Sequence, residues 1–244
     1  MKVKYPVALV TGGARRLGHH IALAFAENGY NVVVNFNASK QEAEFTISQI
    51  KKIGREGIAI KADISKKRNV TRMINRTIEL FGRIDVLVNN SSVFIESPLE
   101  KTTEQIWDTT IDINLKGTLL CSQAVAPIML KQKYGRVINI ASLGGLQPWA
   151  KHLPYSVSKA GVIMLTKVLA KSLAPYVHVN AIAPGIISFT ESIKKSIAPI
   201  QSKNILLREY GKPSDITDMV IFLAKTEQYI TGQIFPVDGG KSIQ

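Results

Sequence analysis

Tyr155 and Lys159 stand four residues apart in the run Tyr155-Ser156-Val157-Ser158-Lys159. The apolar spacing from Tyr155 to Leu173 predicts a helix, which puts both side chains on one face within a turn. A phenol with an ordinary pKa near 10 is a poor proton donor or acceptor at neutrality. A neighbouring ammonium stabilises the phenolate and lowers that pKa, which suits the pair to acid–base work. Ser142 follows the apolar run Val137–Ile140, where a hydroxyl can donate to a carbonyl oxygen and polarise its carbon. Asn114 lies inside a predicted helix over Glu104–Met129, although asparagine is a weak helix former. It either bonds nearby backbone or serves a purpose of its own.

A second group of residues suits an anionic ligand. Thr11-Gly12-Gly13-Ala14-Arg15-Arg16-Leu17-Gly18 follows an apolar run and opens a helix. Glycines let backbone approach a pyrophosphate, and a helix N-terminus offers unpaired N–H groups and the positive end of its dipole. The next apolar run ends Val34-Asn35-Phe36-Asn37-Ala38-Ser39, with no Asp or Glu to hold a ribose 2′-hydroxyl. Arg15 or Arg16, with Ser39, Asn35 and Asn37 nearby, could instead pair with a 2′-phosphate. NADPH is therefore expected in preference to NADH.

These residues need a scaffold, and the rest of the chain predicts one. Strand-length apolar runs at Val7–Val10, Asn31–Val34, Gly57–Ile60, Val86–Val88, Val137–Ile140, His178–Ile182 and Ile234–Pro236 alternate with segments of helical period. The helical segments are Gly18–Asn28, Gln41–Ile53, Lys67–Phe81, Glu104–Met129, Tyr155–Leu173 and Ser214–Ala224. Such alternation predicts an α/β protein: a doubly wound, Rossmann-type parallel sheet of about seven strands with helices on both faces. No repeat or linker divides residues 1–244, so one domain is expected, with ligands beyond the carboxyl ends of the strands.

With 244 residues, 45% of them hydrophobic, and a single cysteine, Cys121, the chain can bury its own core without disulfide or metal. The apolar runs are shorter than the roughly 20 residues of a membrane span, and no signal peptide is completed before Thr11-Gly12-Gly13, so a cytoplasmic protein is expected. The four histidines, His19, His20, His152 and His178, are not joined by other ligands in metal-binding spacing. The formal net charge of +13 favours an anionic partner, but the lysines and arginines are scattered. No arginine-rich arm, zinc finger or aromatic-interleaved basic strip indicates a nucleic-acid reader.

The motifs together resemble the classical short-chain dehydrogenases/reductases over essentially the full length. Thr11–Gly18 is similar to that family's cofactor turn, Asp63-Ile64 to its adenine-side pair, and Asn89-Asn90-Ser91-Ser92 to its Asn-Asn-Ala-Gly segment. Asn114, Ser142 and Tyr155 with Lys159 resemble its catalytic set, with the same gap between Ser142 and Tyr155. Pro184-Gly185, Ile230-Thr231-Gly232-Gln233 and Val237-Asp238-Gly239-Gly240 complete the order. The resemblance implies NADP-linked interconversion of a ketone and an alcohol. Tyr155 would supply the proton, Ser142 would stabilise the oxygen, and Lys159 would steady the phenolate and the nicotinamide ribose. Asn114 would hold a water leading to solvent, and the Ile187 backbone would meet the carboxamide. It also implies a homo-oligomer, with a tetramer expected, paired through the helices of Asn114 and Tyr155 and through the last strand.

Departures from the family pattern narrow the expectation. Arg16 stands where most members carry Gly, and Arg16, Asn89–Ser92, Phe94 and Pro98-Leu99 resemble pteridine reductases. Ser142, Gly211-Lys212-Pro213 and the C-terminal motif resemble 3-oxoacyl-(acyl carrier protein) reductases instead, in which Thr usually stands at the place of Phe189. The expected substrate is a carbonyl compound, a 3-oxoacyl thioester before a dihydropterin, carried on an acidic protein that a basic enzyme would attract. A catalytically idle nucleotide-binding subunit is the rival from another class. Residues 188–210 are the expected substrate lid, and Phe94, Trp149 and His152 the expected lining of its mouth, unless those rings are plain packing.

Overall fold

The computed structural model describes residues 5–189, 202–226 and 229–244. Seven parallel strands form one sheet: β1 (Val7–Val10), β2 (Asn31–Phe36), β3 (Gly57–Lys61), β4 (Val86–Asn89), β5 (Gly135–Ile140), β6 (Val177–Pro184) and β7 (Ile234–Val237). Their spatial order is β3-β2-β1-β4-β5-β6-β7. Chain direction across the sheet reverses between β1 and β4, and ligands of such sheets bind in the crevice that this reversal opens. The register aligns Val10 with both Val34 and Val88, so the turns after β1, β2 and β4 leave the sheet together.

Alternate strand residues feed two cores. Ala8, Val10, Val34, Val88, Ile140 and Ile182 face Phe25, Ile50 and Val220, which come from helices α1 (Arg16–Glu27), α2 (Lys40–Lys52) and α7 (Pro213–Lys225). Leu9, Val33, Leu87, Val137 and Val179 face Met73, Val125 and Leu173, from α3 (Lys67–Phe81), α5 (Gly117–Gln132) and α6 (Leu153–Leu173). Both sheet faces are therefore covered, and the strands read as nearly unbroken Val/Ile runs for that reason. Each fully buried large side chain, such as Phe25, contributes roughly 1.5–3 kcal/mol relative to exposure.

One predicted helix is not continuous. Between α4 (Glu104–Ile111) and α5 the chain makes a π turn over Asp112–Lys116, and this turn carries Asn114. Gly117 ends the wide turn against Ile64, where a Cβ would come within 2.6 Å of the Ile64 side chain. The 29-residue stretch Glu104–Gln132 is long and apolar enough to cross a bilayer by length and composition, contrary to the sequence expectation. Cys121, Val125 and Met129 nevertheless lie in the core against the sheet.

Candidate active site

Ser142 leaves the carboxyl end of β5, and the first turn of α6 brings Tyr155 and Lys159 beside it. Lys159 is buried, and its Nζ donates to the Ile140 carbonyl at 2.7 Å while lying 5.7 Å from the Tyr155 ring centre. The Ser142 hydroxyl accepts from the Gly144 N–H at 3.1 Å and shares a side-chain hydrogen bond with Tyr155. Burial raises the Tyr155 pKa above the ordinary value, and the bond to Ser142 pulls the other way. Burial also lowers the Lys159 pKa to about 8. The net direction on Tyr155 is therefore upward, set by burial, and not the lowering expected of the pair; the Lys159 charge, 5.7 Å from the ring centre, favours the phenolate against that burial. The opposing influence on Tyr155 comes from its hydrogen bond to Ser142.

Asn114 is 1% exposed, and its amide is engaged by protein partners. Its Oδ1 accepts from the Val93 N–H at 2.8 Å, and its Nδ2 donates to the Val93 carbonyl and to Ser158 Oγ, both at 3.0 Å. Ser158 Oγ in turn donates to the Tyr155 carbonyl at 2.7 Å. The side chain therefore ties the segment after β4 to the first turn of α6. These three bonds, to Val93 and Ser158, are the contacts the protein itself makes with the Asn114 amide.

The turn after β1 has the form of an anion cradle. Gly12 has φ +59°, and a Cβ on Gly18 would strike the Gly12 carbonyl and approach Asn90 Nδ2 to 2.7 Å, so neither position tolerates a side chain without movement. Asn90 Nδ2 donates to the Thr11 and Gly12 carbonyls at 3.0 and 3.2 Å, while Thr11 Oγ1 accepts from the N–H groups of Asn90 and Ser91. The N-terminus of α1 has no side-chain cap and no acidic residue in its first turn. Open N–H groups, a close-packed glycine turn and the exposed Arg15 and Arg16 fit a pyrophosphate. Arg16 itself has φ +48°, a backbone region that favours glycine and accounts for the glycine usual at this place in the family pattern.

Two expected cofactor contacts need correction. Asn35 is buried, with Oδ1 on the Gly12 N–H at 3.3 Å and Nδ2 on the carbonyls of Ile60 and Ala62, so it braces the turn and has no amide group left for a 2′-phosphate. Asn89 points into the protein: its Nδ2 donates to Ser122 Oγ at 3.1 Å and to Asn139 Oδ1 at 2.8 Å. Ser39 is at the N-cap of α2 without making a side-chain capping bond, next to exposed Asn37 and Lys40. Asp63 caps its own loop, accepting from the Ser65 N–H and hydroxyl at 2.9 and 2.7 Å, and Ile64 is buried. Leu17 is half-buried against the core beneath α1.

On the other side of the crevice, Gly185 donates to the Val237 carbonyl at 2.9 Å, and a Cβ on it would meet Asp238 Cα at 2.8 Å. Pro184 ends β6, and Ile187 pairs with Gly211 through its neighbours: Gly211 donates to the Ile186 carbonyl and Ser188 to that of Gly211. Of the expected lid, residues 190–201 lie outside the described residues. In its remainder, Ile205 and Tyr210 are buried and Leu206 and Leu207 exposed. A cavity of about 230 Å³ lies under this edge, lined by residues including Ile187, Ile205, Tyr210 and Val237. Among the described residues, no three metal-ligating side chains cluster.

Sequence reasoning passed over Thr11, Ser158 and Asn139 as site residues, yet each holds a site residue in place. Asn139 is the clearest case, since the strand register sets it opposite Asn89 and its Nδ2 donates to Thr166 Oγ1 at 2.9 Å.

A parallel sheet with a glycine cradle at its switch point and a Tyr–Lys–Ser group at the next strand end defines a nucleotide-binding α/β oxidoreductase architecture. The short chain dehydrogenase family model matches residues 6–200, and the chain belongs to that family. It is 43% identical to 3-oxoacyl-(acyl-carrier-protein) reductase FabG of Staphylococcus epidermidis, over 96% of this chain and 97% of that protein. It is 39% identical to (2S)-((R)-hydroxy(phenyl)methyl)succinyl-CoA dehydrogenase subunit BbsD of Thauera aromatica, over 100% of this chain and 99% of that one. The crystal structure of NAD+-bound xylitol dehydrogenase superposes with a TM-score of 0.88 at 27% identity, covering 96% of this chain and 98% of that one.

Proposed function

We propose that this chain is an NADPH-dependent ketone reductase acting on 3-oxoacyl thioesters, with the acyl group on an acidic carrier protein. The observation that carries the reading is the convergence of Tyr155, Lys159 and Ser142 after β5, on the same edge of the parallel sheet as the Gly12–Gly18 cradle after β1. The substrate class follows from the reductase that is 43% identical over nearly the whole chain, and a CoA thioester is the substrate type in the name of the second relative. The basic balance of 31 Lys and Arg against 18 Asp and Glu suits an acidic carrier.

A nicotinamide dinucleotide, when bound, supplies the hydride. Gly12, Gly18 and the start of α1 hold its phosphates, and Arg15, Arg16 and Ser39 take the 2′-phosphate, since the first carboxylate after β2 is Glu42, beyond the start of α2. The backbone after Pro184-Gly185, at Ile187, meets the carboxamide. Tyr155 gives its hydroxyl proton to the oxygen of the carbonyl being reduced, and Ser142 donates a second hydrogen bond to that oxygen. The Lys159 ammonium favours the phenolate that remains. Asn114, acting through Ser158, is a positioning residue for the turn that presents Tyr155.

Exposed apolar side chains on α5 (Leu119, Leu130) and α6 (Val157, Met164, Val168) support assembly through these helices into a tetramer. A panel assay tests the reading: NADPH or NADH with an acetoacetyl thioester, and with dihydrobiopterin, followed by coenzyme absorbance. Thioester reduction with NADPH the better coenzyme, and a smaller NADPH preference in Arg16→Ala, is expected. Turnover of the pterin alone would overturn the assignment.

A further inference from the structure

Three rings crowd the mouth above Tyr155, and hydrogen bonds as well as packing hold them there. Phe94 lies face to face on His152, with centroids 4.1 Å apart and planes 21° apart, and presents its edge to Tyr155 at 4.7 Å and 81°. Trp149 lies nearly parallel to Tyr155, at 6.2 Å and 14°, and perpendicular to Phe94 at 6.3 Å. The main chain pins the assembly. His152 Nδ1 is 3.1 Å from the Ile95 carbonyl, the His152 N–H donates to the Trp149 carbonyl, and Ser97 bonds both Lys151 and Leu153. Ser156 Oγ accepts from the Trp149 N–H at 3.2 Å.

Phe94 nevertheless keeps 58% of its surface exposed, at the position nearest the phenol that would protonate substrate. Phe94 and Trp149 lie 4.7 and 6.2 Å from the Tyr155 ring, so they are the aromatic surface beside a ketone whose oxygen reaches Tyr155 and Ser142. A saturated chain gains only buried area there. An aromatic substituent also gains edge-to-face and offset-stacked contacts, which the stacked Phe94–His152 pair and the steeply inclined Trp149 offer from two directions at once. Resting on the reductase reading above, we propose that Phe94, Trp149 and His152 form a cage selecting a ketone that bears an aromatic ring directly on its carbonyl carbon, a 3-aryl-3-oxopropionyl thioester. The reaction is otherwise unchanged: the carbonyl carbon accepts hydride from NADPH and its oxygen accepts the Tyr155 proton, giving the aryl carbinol and NADP+.

The test compares kcat/KM of the full chain for benzoylacetyl and acetoacetyl N-acetylcysteamine thioesters with saturating NADPH. A preference of roughly tenfold for the aryl ketone is expected, the scale of one good aromatic contact. Phe94→Leu keeps apolar bulk and should shrink that ratio severalfold, chiefly through a higher KM for the aryl ketone, whereas Phe94→Tyr keeps a ring and should preserve it. A wild-type preference for the acetoacetyl thioester, or a ratio unmoved by Phe94→Leu, overturns the cage while leaving the reductase reading intact. Reduction of neither thioester overturns both.

Discussion

Lys159 is the residue whose surroundings have the most direct consequence. Its ammonium sits buried with one carbonyl partner, and burial brings its pKa down to about 8. The charge that favours the Tyr155 phenolate is therefore present below about pH 8 and is lost as pH rises through that value. For reduction, kcat/KM should decline across the same range, since this parameter follows the ionisations of the free enzyme. In Lys159→Met that limb should vanish from a profile that is lower throughout, and its persistence there would assign the ionisation to another group. Tyr155, with its pKa raised by burial, stays protonated through the neutral range and so remains a proton donor. Arg16 illustrates a different economy: it holds a left-handed backbone at a cost of order 1–2 kcal/mol, at the one turn where an extra cation can meet phosphate.

Among the elements, the strands and most helices were legible because the sheet is covered on both sides and its strands are rich in Val and Ile, with only a few polar residues among them. The glycine turn was legible for the same reason a phosphate fits it, since only glycine tolerates the approach of Asn90 and Gly12 to position 18. The π turn at Asp112–Lys116 was not, because one extra residue in a wide turn leaves the apolar period on either side intact. The inward turn of Asn89 was readable in principle. It shares strand parity with Leu87, and Asn139 with Val137, both in the core under α5 and α6, so the two amides had to find each other or Ser122 and Thr166. Asn35 was misjudged because its type suits a phosphate as well as it suits a carbonyl, and only the register with β3 shows the Ile60 and Ala62 carbonyls waiting for it.

At the scale of the whole molecule, apolar faces and net charge make separate demands. Val157, Met164 and Val168 on α6 and Leu119 on α5 leave a face of the molecule apolar, and light scattering should give a mass of several 26.8 kDa chains at micromolar concentration. Met164→Glu with Val168→Glu should reduce that mass towards one chain, whereas a wild-type monomer would remove the assembly. The charge of +13 works at longer range and favours an acidic carrier by steering. Both predictions depend on the reaction proposed for the crevice, and the most direct measurement is made there. Tyr155→Phe should lower kcat/KM for acetoacetyl thioester reduction by at least about 100-fold, the scale of a lost general acid, while calorimetry finds NADPH binding within a fewfold of wild type. Undiminished reduction by the phenylalanine variant, or no NADPH binding by the wild-type chain, would contradict the assignment.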